Sequence, residues 1–424
     1  MTVPHKENID VTRYVALGDS ITAGYTDGAL CYYGQKNTYA NLLAEQFKAI
    51  GGGDFKQPYL HPDSVGIGFA GNSCLVLKNI INSIEPTSFN LTYLANQGDR
   101  SIFSKNNYTS DGPFNNMGIP GSKVISVVMP GYGNPVNGDG NFNPFFTRMA
   151  FSPETSSILS DALIIKPTFF SLFMGNNDIL AYALSGGTSD IITPLEGSSG
   201  IGFKESLKTI VDSLLNNGAK GVIANLPDLN CVPFFSAFPY NGLVLSEQDV
   251  LLLNEKYGAD GLHFTKGKNA FVICESIENP YKIRQIKKGE SILLDILFDV
   301  QKEDYLSGML PIPKKYILVN SEKLKIEDMI EAFNKFIKSL ADQKKMAFVD
   351  VNTLLKKSRN DRIYNGLLYK FSYKNGGVFS LDGLHPNAYG QALLANEFIK
   401  AINSTYHTTI QLLDSDTFKN NIFP

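Results

Sequence analysis

Short runs of apolar residues alternate with longer amphipathic stretches along much of the chain. Amphipathic spacing predicts helices over Phe203–Asn216 and over residues 326–340, and an apolar run follows each of them. Strands that are buried on both faces of a parallel sheet read as unbroken apolar runs, with helices between them. The four runs that predict such strands are residues 14–17, 168–174, 221–226 and 346–351. The pattern therefore predicts an α/β fold with a mostly parallel sheet.

The first predicted strand leads into a tight turn and then into a helix. Gly18-Asp19-Ser20 interrupts the apolar run, and residues 38–50 have helical spacing. Glycines at 51–53 end that helix. A last helix is predicted over residues 386–402, close to the end of the chain.

Two long segments lack this alternation of strands and helices. Residues of about 52–112 are rich in Gly, Asn, Ser and Pro, with β-like pieces at 74–77 and 89–93. Residues of about 234–320 place leucine-rich pieces in a lysine-rich context. We interpret both as insertions into a single domain over residues 1–424, the second of them large enough to form a small subdomain.

The composition is that of a globular protein with a substantial core. Hydrophobic residues make up 43% of the chain and charged residues 19%, which argues against global disorder. A formal net charge of -3 gives no electrostatic reason to expect a nucleic-acid partner or an anionic membrane surface. No stretch approaches the roughly 18 apolar residues that span a bilayer, so no transmembrane segment is predicted.

Four cysteines lie far apart, at Cys31, Cys74, Cys231 and Cys274. They include no Cys-x-x-Cys pair, and no cysteine and histidine spacing suits zinc, so the sequence predicts no metal site. Buried thiols are the simpler interpretation in a chain of this length. One or two disulfides are the alternative if the protein is exported.

Ser20 is the first candidate for chemistry. A serine is a poor nucleophile at neutral pH unless a base takes its proton and another group orients that base. Ser20 follows the first predicted strand, and ligands of parallel α/β folds bind at the carboxyl ends of the strands. Free backbone N–H groups at a helix start can also stabilise an anion. The alternative is that Ser20 only caps a helix or a turn.

Two further segments can supply hydrogen-bond donors. The segment Asn-Met-Gly-Ile-Pro-Gly at 116–121 contains glycines, which let backbone N–H groups approach a ligand closely. The segment Gly-Asn-Asn-Asp at 175–178 ends the strongest apolar run, so an Asn amide there can point into a cleft as an oxyanion donor. The alternatives are an ordinary Gly/Pro turn and an Asx turn that starts a helix.

The fourth segment is Asp-Gly-Leu-His-Pro at 382–386, directly before the last predicted helix. A carboxylate three residues from an imidazole can orient it and stabilise its protonated form. The same Asp-Gly-Leu-His recurs at 260–263, but it lies in the second insertion, lacks the proline and is not followed by a clear amphipathic helix. We therefore favour Asp382 and His385.

These four segments, in this order, resemble the conserved blocks of the SGNH/GDSL hydrolases: Gly-Asp-Ser, Asn-x-Gly-x-x-Gly, Gly-x-Asn-Asp and Asp-x-x-His-Pro. The resemblance covers the core strands and helices, and the two insertions depart from it. It implies a three-layer α/β/α, flavodoxin-like fold. It also implies that Ser20, Asp382 and His385 form a catalytic triad. The backbone N–H groups of Ser20 and Gly121 and the side chain of Asn177 would form the oxyanion hole.

The resemblance implies an esterase- or lipase-type hydrolase that acts through an acyl-enzyme on a small-molecule or glycan ester. This chemistry requires no metal ion and no organic cofactor. Two alternatives stay open: a carbohydrate O-acetyl esterase with the same machinery, and a catalytically silent protein that binds a glycan or a partner on the same fold. Reaction of Ser20 with a fluorophosphonate probe separates the enzymes from the silent protein.

Within the family, the segment around Ser20 and the later Gly-Lys-Asn-Ala-Phe at 267–271 look most like those of large members from Bacteroidetes-type bacteria. Such members are often exported lipoproteins. The resemblance therefore favours an extracytoplasmic location and a lipid anchor in the native precursor. The first residues of the present sequence contain no apolar signal-peptide core.

Overall fold

The computed structural model describes residues 9–79, 89–188, 192–216, 218–358, 363–364, 367–368 and 377–419. The chain divides into two compact units. The first comprises Met1–Asp178, Thr193–Pro227 and Ala332–Pro424, and the second comprises Ile179–Ile192 and Asp228–Glu331. The predicted insertion at about 234–320 falls within the second unit. That the whole chain is one domain with two insertions stays a prediction.

The first unit is built on a five-stranded parallel sheet. Its strands are β1 (Tyr14–Gly18), β2 (Asn116–Gly118), β3 (Phe169–Phe173), β4 (Lys220–Ala224) and β5 (Ala347–Val349). They lie in the order β2-β1-β3-β4-β5, which is the flavodoxin-like order of doubly wound α/β folds. The predicted fold class is confirmed, and each of the four apolar runs forms a strand.

Helices surround the sheet and also occur in the second unit. They are α1 (Ser20–Ala23), α2 (Tyr32–Lys36), α3 (Tyr39–Lys48), α4 (Tyr108–Asp111), α5 (Val124–Val127), α6 (Pro144–Thr147), α7 (Ile158–Ile164), α8 (Asn177–Leu184), α9 (Phe203–Asn216), α10 (Pro233–Ser236), α11 (Glu247–Tyr257), α12 (Lys302–Leu306), α13 (Asn320–Gln343), α14 (Val351–Ser358) and α15 (Ala388–Tyr406). Short 3-10 turns cover Arg100–Phe103, Pro135–Asn137, Leu229–Cys231, Gly258–Asp260, Leu294–Phe298, Lys314–Tyr316 and Ser415–Phe418. Within the described residues, no helix combines the length and the apolar character needed to cross a membrane.

Both faces of the sheet are buried. Tyr14 and Ala16 of β1 belong to a core cluster with helices α3 and α15 on one face. Val15 and Leu17 are fully buried as well, and they point to the opposite face because successive side chains of a strand alternate. The result is the three-layer α/β/α arrangement. It places the carboxyl ends of the strands, and whatever follows them, at one edge of the sheet.

Three two-stranded hairpins complete the described part of the first unit. They pair Tyr25–Thr26 with Ala29–Leu30, Leu75–Asn79 with Phe89–Tyr93, and Ile363–Tyr364 with Leu367–Leu368. The β-like pieces predicted in the first insertion are confirmed by the second of these hairpins. The first hairpin was not predicted, and it contributes to the site described below.

The second unit has a core of its own and small antiparallel pairs. These pair Leu243–Leu245 with Gly267–Asn269, Val272–Cys274 with Ile283–Gln285, and Ser291–Ile292 with Ile317–Leu318. Its buried cluster includes Leu253, Ile273 and Tyr305. In the chain as a whole Cys31, Cys74 and Cys274 are buried free thiols, and Cys231 is also buried.

Candidate active site

Ser20 occupies the turn from the first strand to the first helix. Strand β1 ends at Gly18, and Asp19 caps helix α1 by accepting a hydrogen bond of 3.0 Å from the backbone N–H of Ile21. A side chain would not fit at position 18, because an added Cβ would lie 1.8 Å from the hydroxyl oxygen of Thr22. Ser20, the first residue of the helix, is thereby held at the carboxyl end of the sheet.

His385 lies in a short loop that closes on itself before the last helix. Phe379 and Pro386 form an isolated antiparallel bridge, and the backbone N–H of Ser380 donates to the carbonyl of His385 at 2.8 Å. Gly383 has a φ of +68° in this loop, a left-handed conformation that favours glycine. The loop therefore fixes the imidazole at the mouth of helix α15.

The side chains of Ser20, His385 and Asp382 form one hydrogen-bonded line. Nε2 of His385 lies 2.9 Å from Oγ of Ser20, and Nδ1 lies 2.8 Å from Oδ2 of Asp382. Since an ionised carboxylate can only accept, Nδ1 carries the imidazole proton and the lone pair of Nε2 faces the serine hydroxyl. His385 is only 7% exposed. The fold thus brings Ser20 into contact with the Asp382 and His385 pair, although His385 is 365 residues away in the sequence.

Asp382 receives more hydrogen bonds than the histidine ring provides. Its Oδ2 also accepts from the N–H of Gly28 at 2.9 Å, and its Oδ1 accepts from the N–H groups of Leu384 and His385 at 2.8 Å and from the hydroxyl of Ser380 at 2.9 Å. Burial would raise the pKa of Asp382, but the adjacent His385 and the N–H donors outweigh it and lower the pKa to about 2. The carboxylate is therefore ionised at neutral pH.

The predicted oxyanion-hole residues present three N–H donors beside the serine turn. The backbone N–H groups of Ser20 and Gly121 donate to no acceptor within the described part of the chain. Asn177 begins helix α8, and its amide donates one hydrogen to the carbonyl of Ser122 at 3.0 Å, which leaves its second hydrogen for a ligand. Ser122 donates in turn to the carbonyl of Gly18 at 3.4 Å, so these segments adjoin.

Two buried aspartates, neither of which was predicted to have a role, link the motifs through hydrogen bonds. Oδ2 of Asp19 accepts from the amide of Asn176 at 2.8 Å, and burial raises the pKa of Asp19 above its ordinary value. Oδ2 of Asp178 accepts from the N–H of Val124 at 2.8 Å, and burial raises the pKa of Asp178 to about 7. The serine turn, the glycine turn and the turn at 175–178 are therefore linked by side-chain hydrogen bonds.

The hairpin over 25–30 forms hydrogen bonds with the loop that carries Asp382. Oδ1 of Asp27 accepts from the N–H of Leu381 at 2.8 Å, and the backbone N–H of Asp27 donates to the hydroxyl of Ser380 at 3.0 Å. Burial raises the pKa of Asp27 to about 7, and the negative charge of Asp382 adds to the rise. An Asp-Gly pair is a strong signal for the turn of a two-residue hairpin, so the sequence did contain a signal for this turn.

The glycine motif at 116–121 supplies strand β2 at the edge of the sheet. The amide of Asn116 donates to the carbonyl of Thr22 at 2.8 Å and to the side chain of Gln57 at 2.7 Å. A Cβ added to Gly118 would lie 2.3 Å from the backbone nitrogen of Ala23. Only glycine lets this strand pass helix α1 so closely, which is the structural reason for glycine at position 118.

The second Asp-Gly-Leu-His lies in the second unit and is not assembled into a site. Asp260 and His263 are exposed, and their side chains form no hydrogen bond with each other among the described residues. Across the same described part of the chain, no group of three or more His, Cys, Asp or Glu side chains is placed to hold a metal ion. The hydroxyl, imidazole and carboxylate around Ser20 therefore form the candidate site.

Neither a family model nor a curated protein sequence matches the chain. An extracellular lipase from Streptomyces rimosus is a similar solved structure, at 13% identity over 92% of this chain and 98% of that chain, with a TM-score of 0.35. A protein assigned as a GDSL-like lipase from Parabacteroides merdae is similar at 12% identity over 93% of this chain and 98% of that chain, with a TM-score of 0.34. Similarity at these identities and TM-scores does not assign an activity to this chain. The fold follows from the strand order itself.

Proposed function

We propose that this protein is a serine ester hydrolase. The observation that supports it best is the line of hydrogen bonds from Ser20 through His385 to Asp382, at 2.9 and 2.8 Å. A serine becomes a nucleophile when a base can take its proton and a third group orients that base. The three side chains meet these conditions at the edge of the sheet where α/β folds bind ligands.

In the proposed acylation step, Nε2 of His385 takes the hydroxyl proton while Oγ of Ser20 attacks the ester carbonyl. The bond to the alcohol oxygen breaks when the tetrahedral intermediate collapses, and Nε2 returns the proton to the departing alcohol. Asp382 stays ionised and stabilises the imidazolium. Its pKa of about 2 supports this role, because so weak a base does not take the proton from the ring.

The role of stabilising the negative charge of the tetrahedral intermediate is assigned to the N–H groups of Ser20 and Gly121 and to the side chain of Asn177. Donors that are already in place meet this charge as it develops, so they stabilise the transition state more than the substrate. The bond from Asn177 to the carbonyl of Ser122 supports the assignment, because it holds the amide in one orientation.

Water completes the proposed cycle. His385 takes a proton from water as the water oxygen attacks the acyl carbon, and the acid leaves as Ser20 regains its proton. These steps use only side chains and backbone of this chain. The acyl group and the alcohol of the natural ester are not specified by the triad.

Hydrolysis of p-nitrophenyl acetate and butyrate tests the proposal. We expect the wild-type protein to hydrolyse both esters, and Ser20→Ala to lose roughly 10,000- to 1,000,000-fold in kcat because the nucleophile is removed. Ser104→Ala, at an exposed serine, is the matched control and should keep the wild-type rate. Folded wild-type protein without activity, or an active Ser20→Ala variant, would contradict the proposal.

A further inference from the structure

The ring of Phe69 lies at the edge of the candidate site and is largely exposed. Phe69 belongs to the first predicted insertion and is 58% exposed, whereas the two rings that it contacts, Tyr25 and Phe145, are 4% and 3% exposed. Single exposed apolar side chains are normal on protein surfaces. The contacts of Phe69, described next, are what distinguish it from other exposed rings.

Phe69 is held by its neighbours in a defined orientation. Its ring stacks on that of Tyr25, with the centroids 5.4 Å apart and the planes inclined by 27°, and it meets Phe145 edge-on at 5.5 Å. The backbone N–H of Phe69 donates to the hydroxyl of Tyr25 at 3.2 Å. Because one face of the ring is packed on Tyr25, its exposure belongs to the remaining face and edge.

These contacts connect Phe69 to both halves of the proposed catalytic machinery. The ring of Tyr25 packs against that of His385, with the centroids 4.7 Å apart. A Cβ added to Gly121 would lie 2.8 Å from Cε1 of Phe69, so the ring edge also adjoins the backbone assigned to the oxyanion hole. A bound ester would therefore have the exposed ring beside it.

The reaction geometry indicates which part of the ester this ring would meet. The departing alcohol takes its proton from His385, so it must lie on the imidazole side of the carbonyl carbon. Phe69 borders that side as well as the oxyanion-hole backbone, since it stacks on the tyrosine that packs against the imidazole. A single open ring covers one face of a ligand, which suits a flat group better than a long acyl chain that needs apolar surroundings on several sides.

We propose that Phe69 determines which alcohol the site accepts, by stacking on an alcohol that presents a flat face. Aryl rings and the C–H faces of sugar rings share this chemistry. The inference rests on the proposed ester hydrolase function and names the part of the substrate that the first insertion recognises. Loss of one aromatic contact of this kind corresponds to roughly a two- to tenfold change in kcat/KM.

The test compares acetate esters of different alcohols, because they form the same acyl-enzyme and differ only on the alcohol side. Phe69→Ala should lower kcat/KM roughly two- to tenfold for p-nitrophenyl acetate or for an acetylated pyranose, and it should leave ethyl acetate unchanged. The ring ester whose kcat/KM falls more shows whether the preferred alcohol is an aryl ring or a sugar ring. Phe69→Tyr keeps the ring and should restore the wild-type preference.

Phe151→Ala is the matched control. Phe151 is 62% exposed and packs edge-on against Tyr108 at 5.2 Å. Its removal should therefore leave kcat/KM unchanged for every ester tested. A loss in Phe69→Ala that is equal for all three alcohols, a loss that follows acyl length between acetate and butyrate, or no loss at all would overturn the inference. A wild-type protein that hydrolyses none of these esters would instead show that the proposed function itself has failed, and the assignment of Phe69 would be withdrawn with it.

Discussion

Two turns of this molecule share the sequence Asp-Gly-Leu-His, at 260–263 in the second unit and at 382–385 in the first. Both glycines lie in the left-handed region, with φ of +75° at Gly261 and +68° at Gly383. The four-residue sequence and this backbone angle therefore do not separate the two segments. The two turns differ in what surrounds the carboxylate and the imidazole.

At 382–385 the fold supplies a partner for every polar group of the pair. The hairpin over 25–30 and Ser380 donate to the carboxylate, and Ser20 lies against Nε2 of His385. At 260–263 the two side chains are exposed. Distant elements therefore bury the pair at 382–385 and place a hydroxyl within reach of its imidazole, whereas the pair at 260–263 stays exposed.

The largest expected effect comes from replacing the two histidines, one at a time. His385→Ala should lose roughly 10,000- to 1,000,000-fold in kcat on p-nitrophenyl acetate, because among the described residues only His385 forms a hydrogen bond with the Ser20 hydroxyl. His263→Ala should hydrolyse the ester at the wild-type rate. Steady-state kinetics of the two purified variants measure the contrast, and activity that disappears in His263→Ala but survives in His385→Ala would reverse our choice between the two turns.

The second largest effect is expected when each of the two aspartates is replaced by asparagine. Asp382→Asn should keep the geometry but present an N–H to Nδ1 of His385, which favours the wrong tautomer and lowers kcat by roughly 1,000- to 10,000-fold. Asp260→Asn should leave kcat unchanged. Equal rates for the two variants, measured on the same ester, would mean that Asp382 does not orient the imidazole.

The third effect concerns the side chain of Asn177, which the proposed function assigns to the oxyanion hole. Asn177→Ala should lower kcat by roughly 100- to 1,000-fold, because the charge of the tetrahedral intermediate loses one hydrogen bond. KM should change little, since the donor acts on the transition state more than on the bound ester. A rise in KM at constant kcat would assign Asn177 to substrate binding instead.

The smallest expected effect concerns the buried side chain of Asp27, which accepts a hydrogen bond from Leu381 beside the turn at 382–385. The pKa of Asp27 is raised to about 7 from an ordinary 3.8, so the ionised form is disfavoured in the folded protein and stability falls as pH rises from about 4 through 7. Asp27→Asn cannot ionise, yet its oxygen can still accept from Leu381. The free energy of unfolding of the variant, relative to the wild type, should therefore increase over this pH range, by at most a few kcal/mol.

Denaturant unfolding at several pH values between 4 and 8 measures this difference. A difference that stays constant with pH would show that Asp27 ionises in the folded protein as freely as in water. A decrease with rising pH would show that a cation compensates the buried charge.

Much of this account could be predicted from local patterns. Four of the five strands of the sheet are apolar runs, and the resemblance of four short motifs to conserved family blocks implied that Ser20, Asp382 and His385 would meet. Strand β2 was missed because it is only 3 residues long and polar at its first position. Helix α13 begins at Asn320, earlier than the predicted 326, since its exposed first turns carry no apolar spacing.

The supports of the site could not be predicted in the same way. Gly28 and Asp382 are joined by a hydrogen bond across 354 residues, and no periodicity of the sequence reports such a contact. The exposed ring of Phe69 lies in an irregular segment, where only the folded chain shows that it stacks on Tyr25. Local patterns predict elements and candidate residues, whereas only burial and long-range hydrogen bonds in the folded chain distinguish one Asp-x-x-His candidate from the other.

The most direct test of the central claim is to map the adduct of a fluorophosphonate probe by mass spectrometry of the digested protein. The probe reacts with a serine whose hydroxyl has been activated by a base. We expect one adduct, on Ser20, in the wild-type protein and in His263→Ala, and no adduct in His385→Ala. An adduct on another residue, or labelling of Ser20 that persists without His385, would contradict the claim that this imidazole activates this serine.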